Sequence, residues 1–298
     1  MRESPAVGTH TVTTDDGRSL EVFEAGDPHG PAVVAIYGTP SGGIHYDQHV
    51  AEAEARGIRL VSWTRPGYGA STPQPGRSVA DFTADATAVA DALGLDRFVV
   101  WGISGGGPHA LACAALLGAR VTAAASLAGV APYDAEGLDW LAGMGEDNLE
   151  EFAAVLAGRE ALEPLLEAHR TAFATATGQD LREQWATLLS AVDAEVATAE
   201  LADYLVACVQ AGLARGVEGW VEDDLAFVEP WGFDLDAIAV PVLVWQGEED
   251  RFVPPAHGRW LAEHVPGVEA RVTAEDGHLT LMQHRVPVVH DWLLARRS

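Results

Sequence analysis

No lysine occurs in the 298 residues: all 18 basic side chains are arginine, set against 44 aspartates and glutamates for a formal charge of −26. Without lysine there is no P-loop amine for nucleotide phosphates and no Schiff base for pyridoxal phosphate or aldolase chemistry. So negative a chain repels phosphate backbones and anionic lipid heads, which argues against nucleic acid or membrane as partners and favours solubility. Cysteine is almost as scarce. Cys113 and Cys208 stand far apart in apolar, helical-looking stretches, too few for a disulfide framework or a zinc knuckle. No apolar run approaches the roughly 18 residues of a membrane span, and the opening MRESPAVGTH lacks the basic-then-apolar pattern of a secretory leader. A reducing cytoplasm is the expected compartment. Arginine-only basicity with abundant alanine and glycine points to GC-rich bacterial coding.

What is present alternates. Strand-length apolar runs lie at Ala32 to Tyr37, Arg59 to Trp63, Phe98 to Gly102 and Val121 to Leu127, separated by helical patterns at Gly43 to Ala55, Ser78 to Leu93 and Gly107 to Leu117. Near-continuous apolar strands between helices predict a parallel sheet covered on both faces. Ser78 with Asp81 three residues on is a variant of the capping box. Ahead of these, THTVTTDDGRSLEVFEAGD reads as a hairpin turned at Asp15-Asp16-Gly17. From Ala131 to Asp236 strand-like runs vanish and helical spacings such as Leu201, Leu205, Cys208 and Val209 take over. Alternation then resumes with Pro241 to Trp245, a helix at Ala256 to His264, the strand Ala270 to Thr273 and a helix from Leu281 to Ala295. The prediction is one α/β core, residues 1–130 and 237–298, with a helical cap, 131–236, inserted into it. Buried cap faces and exposed dimer faces share one periodicity, so the pattern assigns no oligomeric state.

The strand at Phe98 runs into Gly102-Ile103-Ser104-Gly105-Gly106 and then a helix. A serine at a G-x-S-x-G turn between strand and helix is held in a strained conformation that exposes its Oγ, and the helix N-terminus beneath favours developing negative charge. The same glycines allow a dinucleotide-binding reading through Gly105-x-Gly107-x-x-Ala110. Against it, Ser104 takes the place of a second glycine, and Leu127-Ala128-Gly129 ends the next strand without the carboxylate a ribose needs. No organic cofactor or metal is expected.

A nucleophilic serine needs a base and a group to orient that base. His278 follows the last strand in Glu275-Asp276-Gly277-His278, at the carboxyl edge of the sheet where ligand sites gather. Asp250 ends PVLVWQGEED on the same edge, with Glu248 and Glu249 as competitors. An oxyanion hole needs two backbone N–H groups; Gly105 and, in the loop Tyr37 to Gly43, Thr39 are the candidates. His45 and His49 form H-x-x-x-H without the glutamate or third ligand of a zinc site and are expected to be structural. His109 is a helix-packing residue, and His10, His29, His169, His257, His264, His284 and His290 read as surface positions. Trp140, Trp220, Phe227 and Trp231 either line a pocket or pack the cap.

With these residues assembled, the chain resembles the α/β-hydrolase superfamily, in its capped esterase and epoxide-hydrolase-like branch. Tyr37-Gly38-Thr39-Pro40 is similar to the H-G-x-P oxyanion motif, Arg65 to Ser71 to the D-x-R-G-x-G-x-S loop, Gly102 to Gly106 to the nucleophile elbow, Gly247 to Pro254 to G-x-x-D-x-x-V-P, and Gly277-His278 to the terminal G-H. The resemblance implies a mostly parallel eight-stranded sheet, with the cap inserted after the sixth strand. It also implies Ser104, His278 and Asp250 as a triad and Thr39 and Gly105 as oxyanion donors, acting on a small-molecule ester, thioester or lactone. Tyr37 stands where the family has histidine, and Trp63 and Thr64 replace the usual acid before Arg65. Ser104, where epoxide hydrolases and dehalogenases carry aspartate, argues against those activities. Gly105, where proline iminopeptidases carry a bulky residue, weighs against that activity, while the acidic cap keeps aminopeptidase chemistry open. Two further readings are compatible with the motifs: hydroxynitrile lyase or perhydrolase use of the triad, and a ligand-binding scaffold without turnover. The charge of −26 disfavours strongly anionic substrates.

Overall fold

Alternation within each central strand decides the architecture. The computed structural model describes residues 8 to 297; the expected lack of a leader falls largely on residues 1–7, outside the described residues. Eight strands form one sheet: β1 (Gly8–Thr13), β2 (Ser19–Gly26), β3 (Ala32–Ile36), β4 (Arg59–Trp63), β5 (Phe98–Ile103), β6 (Val121–Leu127), β7 (Val242–Gly247) and β8 (Glu269–Thr273), in the order β1-β2-β4-β3-β5-β6-β7-β8. The hairpin β1–β2 turns at Asp15-Asp16-Gly17 as expected, and β2 pairs antiparallel with β4; from β4 onward every pairing is parallel. Successive side chains point to opposite faces. Val34, Ile36, Val100 and Val244 enter one apolar layer, while Val33, Ala35, Trp101 and Trp245 enter the other. Both faces are covered, which is why the strands read as continuous apolar runs.

Helices α1 (Asp47–Arg56), α2 (Phe82–Ala92), α3 (Gly106–Leu116), α10 (Pro255–His264) and α12 (Val286–Leu294) cover the sheet. Val89, Leu111 and Leu261 place α2, α3 and α10 on the first layer; Ala53, Val289 and Leu293 place α1 and α12 on the second. A short helix α11 (His278–Thr280) leads through a wider π turn, Leu281–Arg285, into α12. Between β6 and β7 run six α-helices: α4 (Glu146–Ala157), α5 (Arg159–Phe173), α6 (Gly178–Gln184), α7 (Ala191–Val196), α8 (Ala199–Gly212) and α9 (Glu218–Val228). Phe152, Leu166, Val209, Trp220 and Phe227 on these helices join the first apolar layer, so their core is continuous with that of the sheet. Among the described residues, no helix is long and apolar enough to cross a membrane.

Some local expectations are corrected. α1 begins at Asp47 rather than Gly43, because Gly43 sits at φ 69° with Trp63 and Thr64 backbone packed against its Cα. α2 begins at Phe82 rather than Ser78. Asp81 Oδ2 does accept the Ser78 N–H at 2.7 Å, but the Ser78 hydroxyl donates to the same carboxylate instead of capping the helix. His257 and His290, expected at the surface, are fully buried. His257 bridges the chain, accepting from Ala131 N–H at Nδ1 (3.1 Å) and donating from Nε2 to Trp140 O (2.8 Å). His290 falls on the apolar stripe Val286, Val289, His290, Leu293, and burial pushes its pKa down to about 3, leaving it a neutral core ring.

Candidate active site

In a parallel sheet all strands end at one edge, so loops far apart in sequence meet there. Ser104 follows β5, the Gly38–Thr39 segment follows β3, Asp250 follows β7 and His278 follows β8. Ser104 has φ 54°, a rare conformation for a residue with a Cβ. It is pinned from both sides: its N–H donates to Leu127 O (2.9 Å), and its carbonyl accepts from Gly107 N–H (2.8 Å). The flanking glycines are required by contact. A Cβ on Gly106 would overlap the Ile36 carbonyl, and one on Gly102 would overlap the Gly106 carbonyl.

His278 Nδ1 lies 2.8 Å from Asp250 Oδ2, and both side chains are buried. Asp250 is held in turn, its Oδ1 accepting from the Phe252 and Val253 N–H groups, each at 2.9 Å, and its Oδ2 from Gln246 Nε2 at 3.2 Å. Glu249 is exposed and Glu248 pairs with Arg259 at the surface, so of the three candidate acids only Asp250 reaches the imidazole. Burial pulls the pKa of His278 down, but the adjacent Asp250 charge outweighs it and the net shift is upward from 6.5. The ring stacks on Phe252, centroids 4.6 Å apart. Ser104 and His278 line one cavity of about 100 Å³, walled by apolar Leu205, Val209, Leu279 and Met282. A second cavity of about 450 Å³ adjoins it through Thr39, Pro40, Trp185 and Phe252 and carries Asp147, Glu151 and Trp220.

Thr39 and Gly105 face each other. A Cβ on Gly105 would overlap the Thr39 hydroxyl and come within 2.9 Å of Phe227 Cζ, so the position is closed to any side chain. Among the described residues, neither the Thr39 nor the Gly105 N–H is taken by a protein acceptor. Tyr37, in the family's histidine position, hydrogen-bonds through its hydroxyl to His45 Nδ1 (3.1 Å), whose Nε2 reaches Phe23 O (3.2 Å). His49 Nε2 meets Met282 O (3.0 Å). Both histidines are therefore structural, and no group of three or more His, Cys, Asp or Glu side chains among the described residues is arranged to hold a metal. His109 is buried between Phe82 and Phe227, a packing role. Of the four aromatics with two possible roles, Trp220 lines the second cavity, and Trp140, Phe227 and Trp231 pack the core.

The family model for the alpha/beta hydrolase fold matches residues 31–285. The chain belongs to that family. The AB hydrolase superfamily protein YisY of Bacillus subtilis is 24% identical over 271 residues, 90% of this chain and 92% of that one. A proline iminopeptidase of Xanthomonas citri is 34% identical over 108 residues, but the match spans only about a third of each chain, 35% of this one and 34% of that one. Among solved structures, a thermophilic esterase from Thermogutta terrifontis superposes with a TM-score of 0.69 at 21% identity, covering 98% of this chain and 100% of that one.

Sequence reasoning missed three residues of this hydrolase-fold site. Trp185 walls both cavities. Asp223 on α9 binds Arg65 in a buried ion pair. Asp193 on α7, fully buried, accepts the N–H groups of His278 (2.9 Å), Leu279 (2.7 Å) and Thr280 (3.1 Å), fixing the backbone that carries the imidazole. Burial raises its pKa, although the His278 and Thr280 N–H groups act to lower it. Asp193→Ala would strand three buried donors, so urea unfolding should show a loss of about 3 kcal/mol, with Asp193→Asn losing less because it keeps one acceptor oxygen.

Proposed function

We propose that the chain is a serine hydrolase that cleaves a small neutral carboxylic ester, thioester or lactone through an acyl-enzyme. The observation that carries this reading is Ser104, on its positive-φ turn, sharing a small apolar cavity with a His278–Asp250 pair. Ser104 Oγ attacks the substrate carbonyl. His278 accepts its proton at Nε2, since Nδ1 is tied to Asp250, and the carboxylate stabilises the imidazolium. No direct hydrogen bond joins Ser104 to His278; in this reading that contact tightens in the substrate complex. The oxyanion forms against the Thr39 and Gly105 N–H groups, each worth about 3 kcal/mol of barrier. His278 then protonates the leaving alcohol or thiol, and later deprotonates the water that releases the acid. No step calls on a cofactor.

Aminopeptidase chemistry is the second reading, supported by the carboxylates of Asp147 and Glu151 on the adjoining cavity, where a substrate ammonium could be held. Burial pushes the Glu151 carboxyl up to about 7. Against this reading, the small apolar cavity at Ser104 suits a short acyl group better than a prolyl ring.

A fluorophosphonate probe should add one adduct to the wild type, mapped to Ser104, and none to Ser104→Ala; equal labelling of both would end the proposal. Turnover of short p-nitrophenyl esters should exceed that of prolyl amides, and the reverse order would select the aminopeptidase reading. Since only the neutral ring can take the Ser104 proton, kcat/KM should climb with pH along a limb centred above 6.5. Asp250→Asn removes the charge that stabilises the imidazolium. The limb should therefore move to lower pH while kcat falls by roughly 10³–10⁴; a limb that stays in place would show that Asp250 does not tune the base.

A further inference from the structure

The Asp223 carboxylate on α9 is completely buried and gathers four side-chain donors. Arg65 approaches through Nε (2.9 Å) and Nη2 (2.6 Å), Arg77 through Nη1 (2.6 Å), Tyr68 through its hydroxyl (2.9 Å) and Thr39 through Oγ1 (2.8 Å). Arg65 does not stop at this carboxylate. Its Nη1 donates to Tyr37 O (2.6 Å) and its Nη2 to Gly38 O (2.8 Å) and Thr39 Oγ1 (2.9 Å), so one guanidinium holds two successive carbonyls of the loop beside Ser104. The Gly38–Thr39 peptide is trans, and in a trans peptide C=O and N–H point in opposite directions. With Gly38 O turned onto Arg65, the Thr39 N–H is turned away from it. A Cβ on Gly38 would lie 3.1 Å from Ser104 Cβ, which places this peptide directly against the serine.

We propose that Asp223, acting through Arg65, is a positioning residue for the oxyanion donor Thr39 N–H, so that helix α9 sets the aim of that donor. The inference rests on the reading of Ser104 and Thr39 given above. Arg77 supplies a built-in comparison. It shares the same buried carboxylate, but its remaining contacts are Gly219 O (2.9 Å) and Pro66 O (3.4 Å), away from the loop. Lysine at either position keeps the charge yet cannot span several acceptors in one plane.

The test compares Arg65→Lys, Arg77→Lys and Asp223→Asn for turnover of a short p-nitrophenyl ester, affinity for an alkyl boronic acid that forms a tetrahedral adduct on serine, and melting temperature. Arg65→Lys should lose roughly 10- to 100-fold in kcat with KM within about threefold, and boronate affinity should fall by the same factor as kcat/KM. Arg77→Lys should stay within about twofold on both. Asp223→Asn, where it folds, should follow Arg65→Lys; the lysine pair keeps the test decisive where it does not, because both retain the buried ion pair. Equal losses in the two lysine variants, a loss confined to KM, or full turnover by Arg65→Lys would overturn the positioning role. Wild type that carries no fluorophosphonate on Ser104 overturns the underlying reading instead, and this inference with it.

Discussion

Asp223 has lost all of its water, and a carboxylate in that position stays ionised only where donors replace the solvent. Burial works to raise its pKa, but Arg65 and Arg77 outweigh it and hold the group well below the usual carboxylate range. The geometry this imposes reaches across the molecule. One carboxylate oxygen or the other touches the loop after β3, the loop after β4 and Arg77 ahead of α2, while its own helix lies backbone to backbone on that second loop: a Cβ on Gly67 would stand 2.6 Å from Gly219 N. Without this charge, two guanidinium groups would be buried uncompensated, so the carboxylate ties these loops to one another.

Asp193 plays the matching part on the other side of the site. It caps α11 at the residue that carries the imidazole, just as Asp223 braces the peptide that faces the serine. The helices between β6 and β7 therefore do more than cover an opening. Each of two helices contributes a buried acid to a different loop of the sheet edge, and α8 walls the cavity with Leu205, Cys208 and Val209. In the proposed mechanism the nucleophile belongs to the sheet alone, whereas the base and one oxyanion donor depend on helices outside it.

This division explains what the sequence made legible. Ser104, His278 and Asp250 stand just past strand ends, where a continuous apolar run gives way to a glycine-containing or acidic loop, and the strands themselves were readable because both faces are apolar. The two bracing acids carry no such mark. Ser190-x-x-Asp193 has the local form of an ordinary helix start, and nothing nearby indicates that its carboxylate reaches a loop 85 residues on. Asp223 did leave a trace: Trp220, Asp223, Asp224 and Phe227 fall at the spacing of one helix face, so two acids sit on an apolar stripe, where charge is costly unless it is paired. His290 left the same trace on α12. By its type His290 reads as a surface position, and Asp223 is not singled out; in both cases burial follows the period of the stripe.

The local field also departs from what the composition alone conveys. The chain as a whole carries −26, yet beneath the loop that faces Ser104 the guanidinium groups of Arg65 and Arg77 share the single buried carboxylate of Asp223. Burial, with the nearby Glu151 and Asp223 charges, pushes the pKa of the neighbouring Asp224 carboxyl well above the ordinary range. His109, 3.9 Å from Asp223, has its pKa lowered by burial and is neutral at pH 7. Interactions at a few ångströms in a poorly screened interior outweigh a diffuse surface charge that salt damps within about 10 Å. An acidic protein thus keeps buried guanidinium charge against the Gly38–Thr39 peptide, where the proposed chemistry develops its negative charge.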